Sequence, residues 1–184
     1  MDLPFSIQPI LEDDRAALYP LRREDFEALY AAASDPAVWA QHPNPDRWQR
    51  PVFEVFFEGA MQSAGAFRIV DKSSGDLAGS TRIYGYDPLE DSIMIGYTFF
   101  ATRYWGKGFN PATKALLFDY LFQYVSKIRF HIGASNLRSQ IAITRLGAEK
   151  VAELEVAYFG EAPKTNFEYC LTRDHWVGRH TFKP

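Results

Sequence analysis

The nine residues Arg103-Tyr-Trp-Gly-Lys-Gly-Phe-Asn-Pro111 decide the fold of this chain. An apolar run over residues 93–100 leads into them and predicts a β-strand, and a helical pattern over 112–125 follows them. Gly106 and Gly108 therefore lie at a strand-to-helix junction. Glycine adopts positive φ angles without strain and lets a ligand approach the backbone closely. The junction is thus a candidate ligand-binding loop.

The start of the helix adds a preference for anions. Asn110 is expected to be the N-cap, because its side-chain oxygen can accept a hydrogen bond from a first-turn amide, and Pro111 suits the first helical position. Amides that converge at a helix N-terminus bind anions. Two common phosphate loops are excluded, since Gly108 rather than Ser or Thr follows Lys107, and a third glycine is missing near Pro111.

Composition favours one soluble domain spanning residues 1–184, with 47% hydrophobic residues and a net charge of −3. The basic residues form no stripe, so nucleic acid is not expected as a partner. The single Cys170 excludes a disulfide framework and a cysteine-rich metal site, and no metal is predicted. Without a signal peptide or a membrane-length apolar run, we expect a cytoplasmic protein with no membrane partner, either monomer or homodimer.

The periodicity of apolar residues predicts a mixed α/β (α+β) fold. Strands are expected at 16–22, 66–71, 77–86, 91–100, 128–133, 151–159 and 165–172, and helices at 24–33, 52–63, 112–125 and 136–146. Residues 1–14 are interpreted as a lead-in, 36–51 as an irregular loop and 174–184 as a C-terminal tail. The strands at 66–100 form an antiparallel meander, and the strand–helix–strand unit at 91–133 implies two parallel neighbours.

Several short patterns occur in a characteristic order. They are Ile95-Gly-Tyr97, Tyr104-Trp-Gly-Lys-Gly-Phe109 within Arg103-x-x-Gly106-x-Gly108, Asn136-Leu-Arg-Ser139, and Ala142-Ile-Thr-Arg-Leu-Gly147. Together they resemble the GNAT N-acetyltransferase superfamily, and most closely its RimJ/RimL-like branch, over residues 18–176. The resemblance implies a mostly antiparallel sheet of about seven strands flanked by about four helices. It also implies a wedge between two splayed strands that holds acetyl-CoA.

The resemblance assigns the donor site residue by residue. The cofactor-binding positions that it implies are Phe99, Phe100, Ala101, Arg103, Tyr104, Trp105, Gly106, Lys107, Gly108, Phe109, Asn110 and Asn136. Acetyl-CoA would serve as co-substrate, with its pyrophosphate on the glycine loop and its pantetheine arm in the wedge. Ser139 is implied near the thiolate that leaves when the acetyl group is transferred.

The acceptor side is less determined. Trp39, His42, Tyr84, Met94 and Tyr97 are implied as substrate-binding residues, and the acceptor would be a protein N-terminal α-amine or a small-molecule amine. Many relatives carry Glu where this chain has Met94, which is expected to face the cleft.

The general base remains open. The candidates are His42, a tyrosine at 84, 97 or 158, and a water relay, while the nearby Glu90 and Asp91 are expected in a hairpin turn; direct attack by an already neutral amine is a further alternative. The alternatives to an enzyme are a non-catalytic acyl-CoA-binding sensor or inactive relative, and a structural domain whose glycine loop is unused. The net charge of −3 would weakly attract a cationic acceptor.

Overall fold

A computed structural model describes residues 3–157, 159–160 and 162–181 of the chain. Eight strands run through these residues in one sheet of spatial order β1-β2-β3-β4-β5-β6-β8-β7. They are β1 (Leu11–Glu12), β2 (Ala16–Pro20), β3 (Ala66–Asp71), β4 (Leu77–Asp87), β5 (Ser92–Phe100), β6 (Lys127–Gly133), β7 (Glu149–Val156) and β8 (Lys164–Thr172). Neighbouring strands are antiparallel except β5 and β6, which are parallel.

The described residues also form six α-helices. These are α1 (Phe26–Ala33), α2 (Pro36–Trp39), α3 (Arg50–Gln62), α4 (Phe109–Leu121), α5 (Leu137–Arg145) and α6 (Arg173–Thr181). The mixed, mostly antiparallel fold is confirmed, although the strands and helices outnumber the expected seven and four. The extra elements are short or terminal: β1 lies in the expected lead-in, α2 in the expected irregular loop and α6 in the expected tail.

Alternating apolar residues and a tight turn produce the β3–β4 hairpin. Gly75 has a φ of 78°, and its amide bonds to the Asp71 carbonyl at 2.7 Å. The Asp71 carboxylate accepts hydrogen bonds from the amide and hydroxyl of Ser73, which closes the turn. The hairpin fixes the register of the sheet centre, on which the site is built.

Aromatic side chains pack helices onto both faces of the sheet. On one face, Phe56 of α3 lies 6.1 Å from Tyr97 and 6.0 Å from Phe99 of β5, between ring centroids. On the other face, Phe118 of α4 lies 5.9 Å from Phe130 of β6 and 5.0 Å from Trp176 of α6. Five of these six rings are buried, and the sixth, Tyr97, is half-buried. Such buried aromatic pairs hold the two helical layers against the sheet.

The sheet opens between β5 and β6. The two strands pair only from Ser92 to Met94, opposite Lys127 to Arg129. Beyond Met94, β5 continues along β4 and β6 continues along β8, so the two strands diverge into a wedge. Tyr97 has a φ of 55° at the start of the divergence, where the β4–β5 register also shifts. This bulge bends β5 and re-aims its side chains at the opening.

Candidate active site

The glycine loop adopts the backbone that its sequence requires. Gly106 and Gly108 have φ angles of 71° and 81°, both in the left-handed region. Gly108 is the N-cap and α4 begins at Phe109, so the expected N-cap Asn110 is wrong and occupies the second helical position. The left-handed turn at Gly108 starts the helix early. Pro111 is therefore the third helical residue and not the expected first, although it still lies in the first turn, where its missing N–H costs nothing.

The loop presents unused amides to a ligand. Within the part of the chain that the structure describes, the backbone amides of Gly106, Gly108, Phe109 and Asn110 donate no hydrogen bond. No atom lies within 4 Å of the position that a Cβ would take at Gly106, so the loop surface there is open. Unpaired amides at the positive end of a helix dipole make a site for phosphate groups.

Neighbouring side chains hold the loop in place. The Trp105 indole donates to the Phe100 carbonyl at 3.0 Å, and the Arg138 guanidinium stacks 4.0 Å from the Trp105 ring centroid. Arg138 also donates to the Val38 carbonyl at 2.9 Å. Burial lowers the pKa of Arg138, whose charge nevertheless stays with the loop. The loop is therefore braced against α2 and α5 before any ligand binds.

A cavity of about 490 Å³ runs from the glycine loop into the wedge. It brings together most of the residues implied by the resemblance. Lining it are Trp39, His42, Tyr84, Tyr97, Phe99, Phe100, Tyr104, Trp105, Gly106, Gly108, Phe109, Asn110, Asn136 and Ser139. Residues separated by up to 100 positions in sequence thus share one opening between β5 and β6.

Four implied residues do not line the cavity: Ala101, Arg103, Lys107 and Met94. The Ala101 amide bonds to the Ala78 carbonyl at 2.9 Å, while Arg103 lies 3.6 Å from Asp76 and Lys107 is exposed. Met94 is only 8% exposed and lies in the last paired step of β5, before the wedge opens. The structure therefore leaves Met94 out of the cleft that it was expected to face.

Asn136 and Ser139 meet at the start of α5. The Asn136 side-chain oxygen caps the helix by accepting from the Ser139 amide at 3.2 Å. Its amide nitrogen has no partner among the described residues, and Asn136 lines the cavity, so this nitrogen is the group available to a ligand. The Ser139 hydroxyl is likewise unpartnered among these residues and half-buried. Both residues line the cavity from the α5 side.

The candidate bases differ in availability. His42 accepts from the Asn44 amide at 3.0 Å through Nδ1, and its Nε2 lies 3.2 Å from Arg47. Burial and the Arg47 charge lower the pKa of His42 well below its usual value, so the ring is neutral. Because Nδ1 accepts from the Asn44 amide, the ring proton lies on Nε2, and His42 has no free nitrogen with which to act as a base. Tyr84 and Tyr97 line the cavity, whereas Tyr158 lies outside the described residues.

Lys114, which no sequence motif singled out, lies inside the cavity wall. Its Nζ donates to Thr98 Oγ1 at 2.7 Å and lies 5.8 Å from the Phe130 ring centroid. It is 5% exposed, and burial lowers its pKa from 10.5 to about 7. A signal was present: Lys114 precedes Leu117 and Phe118 by one helical turn, so it shares their buried face.

The cavity is basic. Among the described residues that line it there is no Asp or Glu, while Arg47, Lys114 and Arg138 all contribute to the wall. The charge of the cavity thus differs in sign from that of the whole chain.

The described residues contain no cluster of His, Cys, Asp and Glu that could hold a metal ion. In the same part of the chain no helix has the length and apolar character needed to span a bilayer.

Comparison with known proteins identifies one protein family. A family model described as an acetyltransferase (GNAT) domain matches residues 15–149. No curated protein matches the chain in sequence.

Three solved structures illustrate the likeness of fold. A GCN5-related N-acetyltransferase from Brucella melitensis has 18% identity and a TM-score of 0.77, covering 92% of this chain and 81% of its own. Mycobacterium smegmatis RimJ in complex with CoA-disulfide has 18% identity and a TM-score of 0.67, covering 90% and 86%. The microcin C7 self-immunity acetyltransferase MccE, in complex with acetyl-CoA and AMP, has 16% identity and a TM-score of 0.70, covering 87% and 93%.

Proposed function

Because the chain belongs to the GNAT acetyltransferase family and is an acetyl-CoA-dependent N-acetyltransferase, we propose that it acetylates a primary amine by direct transfer in a ternary complex. The observation that carries the proposal is the cavity of about 490 Å³, which joins the glycine loop to the β5–β6 wedge. One end suits the phosphates of the donor, and the other end is free for an amine. The RimJ/RimL-like branch is part of this proposal, and the sequence patterns around Tyr104 and Asn136 support it.

The donor would bind along the cavity in an extended form. Its pyrophosphate would accept from the amides of Gly106, Gly108, Phe109 and Asn110, which are free of partners in the described structure. Its pantetheine arm would then follow β5, whose edge beyond Met94 is unpaired with β6. An exposed strand edge offers regularly spaced donors and acceptors to the amides of the arm.

Direct transfer is favoured over a route through an acetylated cysteine, because no cysteine is among the described residues that line the cavity. Cys170 is half-buried on β8, does not line the cavity, and burial raises the pKa of its thiol. An unreactive thiol outside the cavity cannot accept the acetyl group. Holding thioester and amine side by side in the wedge would instead supply much of the rate by positioning. Ser139 would then lie ready to donate a proton to the departing thiolate.

The glycine loop can be tested with a matched pair of variants. Gly106 and Gly75 have φ angles of 71° and 78°, and at neither glycine does a neighbouring atom lie within 4 Å of the position that a Cβ would occupy. Gly106→Ala and Gly75→Ala should therefore lose a similar amount of stability, about 1 kcal/mol each. Only Gly106→Ala should weaken acetyl-CoA binding in calorimetry, because only its Cβ intrudes where the phosphates approach. Equal affinities in the two variants would contradict the donor site.

Catalysis is tested separately from binding. Thiol release from acetyl-CoA would be followed with a panel of amines, including a peptide with a free N-terminus. Release that depends on both acetyl-CoA and an amine supports transfer. Calorimetric binding of acetyl-CoA without thiol release or acetylated product for any amine would instead favour the alternative of an acyl-CoA sensor.

A further inference from the structure

Two buried arginines flank one aromatic ring on the α3 side of the wedge. The Arg47 and Arg82 guanidinium carbons lie 4.7 Å and 5.9 Å from the centroid of the Phe56 ring. Arg82 also stacks 3.9 Å from the Tyr97 ring centroid, and both Tyr97 and Arg47 line the cavity. The two positive charges therefore converge beside the point where the wedge opens.

Arg82 is a charge that the described residues leave uncompensated. It is 4% exposed, its Nε is buried without a hydrogen-bond partner, and no described carboxylate lies within 4.0 Å of it. Arg68 on the neighbouring strand β3 shows how a partly buried arginine is usually compensated, because its guanidinium pairs with the Asp25 carboxylate at 2.8 Å. Burial lowers the pKa of Arg82 to about 10, and nearby Arg47 lowers it too, so the group stays charged at neutral pH. Holding such a charge without a partner is costly.

The positive charges in and beside the cavity have different origins. Arg138 lines the cavity and braces the glycine loop at the donor end, whereas Arg82 lies on β4 opposite Gly96 of β5, next to the lining residue Tyr97 but not itself in the cavity wall. Thr81, its neighbour, faces the opposite side of the sheet, where its hydroxyl bonds to that of Thr98, to which Lys114 also donates. Arg82 thus faces α3, together with the rings of Phe56 and Tyr97. The phosphates at the glycine loop do not explain a cation here.

We propose that the amine acceptor is a small molecule that carries a carboxylate or phosphate group, bound by Arg82 and Arg47 while its amine faces the wedge. The inference rests on the proposed acetyl transfer. A planar guanidinium binds two oxygens of an oxyanion at once, which suits either group. An anionic acceptor replaces the cationic acceptor expected from the net charge of −3, because an acceptor meets the charge of the cavity and not that of the whole chain.

The same charges help the chemistry. An acceptor ammonium loses its proton more readily beside positive groups, since like charges disfavour the charged form. No described lining residue is an Asp or Glu, so no carboxylate there stabilises the ammonium in return. The neutral amine can then attack the thioester carbonyl, forming the C–N bond as the C–S bond breaks. The amine proton leaves to solvent and the thiolate is protonated.

Matched acceptors test the proposal directly. The kcat/KM for acetylation would be compared between amino acids and their amides, and between aminoalkyl phosphates and the parent amino alcohols. In at least one pair, the kcat/KM of the anionic acceptor should exceed that of its neutral partner by at least about tenfold, which is the effect of one charge-assisted hydrogen-bond pair. Arg82→Gln should bring that ratio towards one. Arg23→Gln, which removes an exposed charge far from the cavity, should leave the ratio as in the wild type.

The outcomes separate this inference from the proposed function. Acetylation of both members of every pair at equal rates, or a preference for a peptide N-terminus with a blocked C-terminus, would overturn the inference and leave acetyl transfer standing. Acetyl-CoA binding without transfer to any amine would overturn the proposed function. If Arg82→Gln does not fold, the wild-type ratios decide, and Arg82→Lys, which keeps the charge but loses the planar fork, should lower the ratio in part.

Discussion

Replacing Lys114 with methionine should change how the stability of the protein depends on pH. Burial holds the folded-state pKa of Lys114 at about 7, against 10.5 for an ordinary lysine. Between these values the unfolded chain binds a proton that the folded chain does not, so the free energy of unfolding rises with pH. Below pH 7 both states are protonated, and this contribution no longer changes. Lys114→Met removes it while roughly keeping the length of the side chain.

The magnitude follows from the two pKa values. Integrating the difference in bound protons from pH 8 to pH 10 gives about 2.5 kcal/mol of stability that the wild type gains and Lys114→Met does not. Thr98 keeps its hydrogen bond to Thr81 at 2.8 Å in the variant, so its hydroxyl is not left unpaired.

Urea unfolding of both proteins at several pH values would measure the difference. Subtracting the two curves removes the titration of every other group. Lys150→Met, which removes an exposed lysine, controls for the loss of a positive charge. If the unfolding free energies of the wild type and Lys114→Met stay parallel from pH 8 to pH 10, Lys114 is not buried as the structure has it.

Three further predictions concern the site. Asn136→Asp keeps the oxygen that caps α5 but loses the free amide donor, so thermal stability should be retained while calorimetry shows weaker acetyl-CoA binding; unchanged affinity would contradict contact with the pantetheine arm. Ser139→Ala should lower kcat by about tenfold or more with little change in acetyl-CoA affinity, and an unchanged kcat would exclude Ser139 as the proton donor. In pH–rate profiles of kcat/KM, the break should move with the pKa of the acceptor amine, as no described lining carboxylate acts as base; a break that stays fixed across acceptors would identify a protein group instead.

The parts of the fold that sequence predicts are those with strong local patterns. The strands at 66–71, 77–87 and 92–100 alternate or are continuously apolar, and the glycine loop between strand and helix has few conformational alternatives. The N-cap of α4 was misassigned because the rule for Asn at caps competes with the freedom of glycine, and the left-handed Gly108 prevailed. Segment 36–51 was expected to be irregular because it is rich in proline, and the four residues of helix α2 are too few to show a helical pattern in the sequence.

The charged residues of the site were beyond local patterns. Arg82 occupies an ordinary position in a strand, and only the sheet and α3 together reveal that it is buried without a carboxylate. The sign of charge in the cavity is likewise a property of residues from distant segments, and the net charge of the chain gave the opposite expectation. Met94 follows the alternation of its strand, yet the point where β5 and β6 separate decides whether it meets the cleft.

The most direct test of the account is transfer of a labelled acetyl group from acetyl-CoA to an amine acceptor, followed by mass spectrometry. The account predicts that label appears on an amine bearing a carboxylate or phosphate, in an amount equal to the CoA thiol released. Acetyl-CoA that binds the protein while labelled amine stays at the level of the enzyme-free control would contradict it.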